Sequence, residues 1–80
     1  MWTREQLPQD WAGAQNNLGA ALRAQARRSE GAEAARLLGE AVAAYKNALT
    51  IWTAKEFPYN HNGATRNLTQ AEESLRKLKP

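Results

Sequence analysis

The chain has no cysteine, so neither a disulfide nor a thiolate metal site can support it. Its single histidine excludes a His-rich metal cluster, and no cofactor is expected. Five glycines and three prolines are too few for a loop-dominated fold and serve as punctuation. An alternating β-branched stretch is missing, which argues against strands. No apolar run approaches a membrane span, and Met1-Trp2-Thr3-Arg4-Glu5 lacks the apolar centre of a signal peptide. The expectation is a cytoplasmic protein with no membrane contact. Charge of one sign is lacking too: 11 basic and 8 acidic residues are interspersed and leave a net +3, a solvated surface rather than a polyanion-binding tail.

What is present is alanine, at helical spacing. Eighty residues make one small domain, which buries a modest fraction of its surface. With no staple available, stability must come from tight helix packing or oligomerisation. The spacing predicts an all-α, antiparallel helix-turn-helix unit with a capping helix, about three helices over 1–80. Residues 1–9 would be the tail of a preceding helix and a linker, 10–28 helix A, 31–57 a long helix B, and 61–79 the cap. Pro8-Gln9-Asp10 is a helix start, because proline's missing N–H costs nothing in a first turn. In helix A, Trp11, Ala14, Leu18, Ala21 (with Leu22) and Gln25 step by three and four, predicting one buried face. Arg27-Arg28 would close it, and Ser29-Glu30-Gly31 would turn, with Ser29 as the following N-cap. In helix B, Leu38, Ala41, Tyr45, Ala48 and Trp52 form a stripe flanked by Leu37, Val42, Ala44, Leu49 and Ile51. Apolar character over so much of its girth predicts neighbours on more than one side. Phe57-Pro58 is expected to end it. In the cap only Ala64, Leu68, Ala71, Leu75 and Leu78 form an apolar stripe.

Sliding the chain by 50 residues aligns Trp2-Thr3 with Trp52-Thr53, Pro8 with Pro58 and Gly13-Ala14 with Gly63-Ala64. Asn17-Leu18 then falls on Asn67-Leu68, and Ala21 on Ala71. The unit is helix, turn, helix and proline-bearing linker, present in a little over one copy. With Leu18-Gly19 in helix A, then Ala41, Tyr45 and Ala48 in helix B and a proline beyond, the chain resembles the tetratricopeptide repeat family. That resemblance implies that Gly19 and Ala41 lie where two helices cross, with Leu18, Leu22 and Tyr45 between them. The period of 50 departs from the family's, which is about 34. Gln15 stands where the family often has tryptophan. A generic alanine-rich three-helix bundle is the alternative.

Between the copies, Leu22 becomes Glu72, Gly19 becomes Thr69 and Trp11 becomes His61, the polar replacements that a terminal cap needs. At the other end Trp2 and Leu7 would be exposed. Stacked repeats are usually stable from about three copies, so self-association is expected, as a two-fold dimer through Trp2, Leu7, Leu49 and Trp52. A piece of a longer array is the other reading.

No nucleophile–base pair, metal set or phosphate loop is recognisable, so the chain is not expected to be an enzyme. The resemblance implies that helix A lines a concave face on which asparagines and basic residues hold a peptide. An amide donates and accepts, so it can pair with any peptide backbone. Asn17 and Asn67, one repeat apart, would form a short ladder, Arg66 could hold a carboxylate, and Asn16, Ala20, Arg23, Gln70 and Glu73 would complete the surface. The bland reading makes Asn17 and Asn67 helix-bridging or solvated. The expected partner is thus a protein or peptide. A purely structural, self-assembling repeat is the main rival. RNA or an acidic partner on Arg23, Arg27, Arg28 and Arg36 is a further one, weakened because no aromatics interleave with these arginines.

Overall fold

A computed structural model describes residues 7–78 and is all-α. It contains α1 (Pro8–Arg27), α2 (Gly31–Leu49) and α3 (Pro58–Leu78), with no strand among the described residues. Of the expected tail and linker over 1–9, residues 1–6 with Trp2 lie outside the described residues, as does the end of the cap at 79. Pro8 and Gln9 belong to α1, which begins two residues before the expected start of helix A. The molecule is a slab of 38 × 25 × 14 Å. A single α-helix with its side chains is about 10–12 Å across. The helices therefore lie side by side, with α2 in the middle and α1 and α3 scarcely touching.

The punctuation residues set the boundaries. Pro8 occupies the first turn of α1, Asp10 lies in that turn, and the Trp11 N–H donates to the Leu7 carbonyl at 2.9 Å. At the other end Ser29 is not the predicted N-cap of α2. Its Oγ donates backwards to the Gln25 carbonyl at 3.0 Å, and Glu30, in extended conformation, takes the capping place without a side-chain cap bond. Gly31 carries the chain through φ +57°, a conformation that costs a residue with a Cβ about 1–2 kcal/mol.

Helix α2 does not run to 57; it stops at Leu49. The Thr50 hydroxyl donates to the Asn47 carbonyl at 2.6 Å, and the Thr53 Oγ1 accepts the Glu56 N–H at 3.2 Å. These local side-chain bonds compete with helix continuation. Trp52 therefore sits in a turn, and Phe57-Pro58 does not end a helix. Pro58 begins α3, so α1 and α3 start 50 residues apart, each on a proline.

Two apolar strips hold the slab together. One joins Leu22 and Ala26 of α1 to Leu37, Leu38, Ala41 and Tyr45 of α2 and Ala71 of α3, with Val42, Leu68 and Leu75 at its edge. The other packs Ala12, Ala48 and Ala64 round Trp52. Helix α2 has neighbours on two sides, as its girth predicted. Gly19 lies against the ring of Tyr45, whose side chain is 0% exposed.

The expected face of α1 is wrong by about one residue's rotation. Ala12, Gly19, Leu22 and Ala26 are buried, whereas Ala14 and Ala21 are exposed and Leu18 is 48% exposed. The reason is proximity: α1 meets α2 through its smallest residues, which the wide ring of Tyr45 needs. Leu18 therefore does not fill the gap beside Tyr45. The stripe's counterpart in α3 behaves oppositely, for Ala64 and Ala71 are buried and Leu68 is half-buried against α2. Conversely, the packed face of α1 maps onto Asn62, Thr69, Glu72 and Arg76 in α3, a polar face. Helix α1 is thus apolar on two faces and α3 on one. Leu78, assigned to the stripe of α3, is 44% exposed.

Candidate functional site

Because α1 and α3 both run antiparallel to α2, they run parallel to each other across a groove. About midway along it the Asn67 Nδ2 donates to the Asn16 Oδ1 at 3.3 Å, and both side chains are half-buried. A recess of ≈ 300 Å³ opens beside this pair. Trp52 and Ala64 form its apolar side; Asn60, Asn62 and Arg66 supply its polar side. Tyr59, 88% exposed, stands at its edge.

Two bonds position the recess. The His61 Nδ1 lies 3.0 Å from the Trp52 carbonyl. A carbonyl can only accept, so the nitrogen that makes this bond carries the proton and ties the first turn of α3 back to the start of the α2–α3 connection. Between α1 and α2 the Asn47 Nδ2 donates to the Gln15 Oε1 at 3.1 Å, fixing the two helices beside Asn16. Gln15 thus serves as a polar bridge between α1 and α2.

The residues singled out from sequence separate here. Asn16, Arg66 and Asn67 come together. Asn17 does not join them: one residue further round α1 it is exposed beside Leu18, so the ladder of Asn17 with Asn67 is replaced by Asn16 with Asn67. A helical residue turns by about 100°, and that single step decides which amide faces the groove. Gln70 is exposed and outside the recess, and Arg23 lies further along the groove. Sequence reasoning missed Tyr59 and Asn60, which it left between helix B and the cap, and did not single out Asn62 at the start of the cap. Reading Pro58 as a first-turn proline would have placed them on a helix.

The self-association set also changes. Trp2 lies outside the described residues. Trp52 is 9% exposed and Leu49 is half-buried against the same strip, so both are spent within the chain. Leu7, 40% exposed, remains available. The arginine patch shrinks as well. Arg36 pairs with Glu33 and with Glu40 along the surface of α2. Its hydrogen bond holds the Glu33 carboxyl below the ordinary carboxylate range, and the same bond raises the guanidinium. As a depressed acid, Glu33 contributes above its unfolded-state pKa and loses that contribution as pH falls, a small effect at so exposed a pair.

Among the described residues no three His, Cys, Asp or Glu side chains gather into a metal-binding group, and no helix is long and apolar enough to cross a membrane. Fold and recess define a small all-α chain with an amide-lined groove between two parallel helices. No family model, curated protein or solved structure matches it.

Proposed function

We propose that this chain is a non-catalytic protein-interaction module of the tetratricopeptide type, holding a peptide or partner segment in the groove between α1 and α3. The observation that carries this reading is the half-buried pair of Asn16 and Asn67 at the wall of an open recess. Each amide retains donor and acceptor capacity beyond the bond they share. Asn60, Asn62 and Arg66 add further donors for backbone carbonyls or a carboxylate. The family resemblance gains support from Gly19 against Tyr45 and from the proline-started helices 50 residues apart.

Selection from a displayed library of random peptides tests the reading. Enriched peptides should bind the wild-type chain and lose about tenfold or more in affinity to Asn16→Ala/Asn67→Ala, a loss of about 1.4 kcal/mol, while the melting temperature holds. Failure to enrich any peptide, or equal binding by the double variant, rejects it.

The exposed stripe of α1 favours a second activity, self-association. Ala14, Leu18 and Ala21 are exposed where their counterparts in α3, Ala64, Leu68 and Ala71, pack within the core, and Leu7 just before α1 adds to the exposed apolar surface. An α2-like helix is therefore the shape that fits this stripe. Sedimentation equilibrium should show association of the wild-type chain and an 8.9 kDa monomer for Leu18→Glu. A wild-type chain that stays monomeric at about 1 mM would remove this second activity.

A further inference from the structure

Seven residues beyond Asn16 and Asn67, two turns along each helix, the groove changes character at Arg23 and Ser74. A second recess of ≈ 340 Å³ opens there, bounded by the end of α1, the start of α2 and the end of α3. Its floor is apolar: Ala26, Ala34 and Leu38 are buried side chains of the core, and Leu78 forms one wall. Three cations, Arg23, Arg27 and Lys77, line it together with Ser29 and Ser74.

No acid lines this recess. The nearby carboxylates are Glu30, at the start of α2, Glu73, four residues before Lys77, and Glu33, which is engaged by Arg36. Among the described residues none of them forms an ion pair with these three cations. Three cations round an apolar floor are complementary to one chemistry: an anionic head on an apolar body. The apolar floor lacks the stacking surfaces that a nucleic acid would use, since no aromatic residue lines the recess. Its volume lies near the small end of ligand sites, which begin at about 300 Å³.

We propose that this recess is a binding site for a small amphipathic carboxylate, such as a medium-chain fatty acid. The aliphatic body lies against Ala26, Ala34, Leu38 and Leu78. The carboxylate takes charge-assisted hydrogen bonds from Arg23, Arg27 and Lys77. Exposed Leu78 and the half-buried stem of Arg23 then act as the sides of an apolar slot. The site is separate from the amide recess and does not depend on peptide binding there.

Octanoate is the probe, with octanol and acetate as comparisons, and the readout is backbone amide shifts of the full chain by NMR titration. Octanoate should saturate a single site with a Kd below about 1 mM, moving the amides of Ala26, Ala34 and Leu38. Octanol, which lacks the charge, and acetate, which lacks the tail, should each bind about tenfold more weakly or worse. Arg23→Gln/Lys77→Gln should weaken octanoate by about tenfold or more with an unchanged melting temperature, whereas Asn16→Ala/Asn67→Ala should leave it unaltered. The proposal is overturned if octanoate fails to saturate, if octanol or acetate matches it, or if the Arg23/Lys77 variant keeps full affinity.

Discussion

Replacing Trp52 with alanine is expected to lower unfolding free energy by about 3–5 kcal/mol. The residue is 9% exposed, and its buried neighbours in the second apolar strip are Ala12, Ala48 and Ala64, with Leu49, Ile51 and Phe57 partly buried at the edge. The buried alanines have no side-chain freedom with which to fill the vacated space, so the packing of the indole against all three helices' alanine positions would be lost there. A chain of this size has about 4–12 kcal/mol in total, at roughly 0.05–0.15 kcal/mol per residue. The variant should therefore be largely unfolded at moderate urea concentrations that leave the wild type intact. Urea melts followed by circular dichroism measure this without depending on tryptophan fluorescence. Tyr59→Ala, at an 88% exposed aromatic, is the control and should stay within about 0.5 kcal/mol. A Trp52→Ala loss below about 1 kcal/mol would contradict the packing described for this strip.

The second large effect is one of sign. Glycine to alanine inside a helix ordinarily gains about 0.8–1 kcal/mol. At Gly39, where an added Cβ meets nothing within 4 Å, that gain should be realised. At Gly19 the added Cβ would lie 2.6 Å from Cε1 of Tyr45 and 2.8 Å from Cδ1 and Cζ. The ring is fully buried and cannot swing away, so overpacking of about 1–3 kcal/mol should reverse the propensity gain. Gly19→Ala should melt below the wild type and Gly39→Ala above it. Tyr45→Phe separates ring from hydroxyl, since the Tyr45 Oη is buried with no hydrogen-bond partner. Its removal should be neutral or stabilising by about 1 kcal/mol, because an unpaired buried hydroxyl costs that much. If Gly19→Ala stabilises as much as Gly39→Ala, α1 and α2 do not cross at Gly19.

Much of the fold was legible because helical periodicity is a local property. The two-sided character of α2 followed from its apolar girth, and the stripe Ala64, Leu68, Ala71, Leu75 predicted how α3 would seat. The start of α1 at Pro8 was readable for the same reason: a first-turn proline leaves no N–H unpaired. The end of α2 was not, since Thr50 and Thr53 ended it through side-chain bonds that a hydropathy pattern does not register.

The candidate site was less legible, and α1 shows why. Its sequence offers two apolar faces at once, Ala14-Leu18-Ala21 and Ala12-Gly19-Leu22-Ala26, each with helical spacing. By itself the sequence determined that α1 would be a helix, that it would be apolar on these faces, and that its pattern would return at α3. Choosing between the faces needed the ring of Tyr45, which only a residue with no side chain could accept. That tertiary contact fixed the rotation of α1 about its axis. The same rotation turned Asn16 towards Asn67, turned Asn17 out, and left Leu18 exposed. Sequence set the two faces of the helix, and close packing at one glycine decided which was buried.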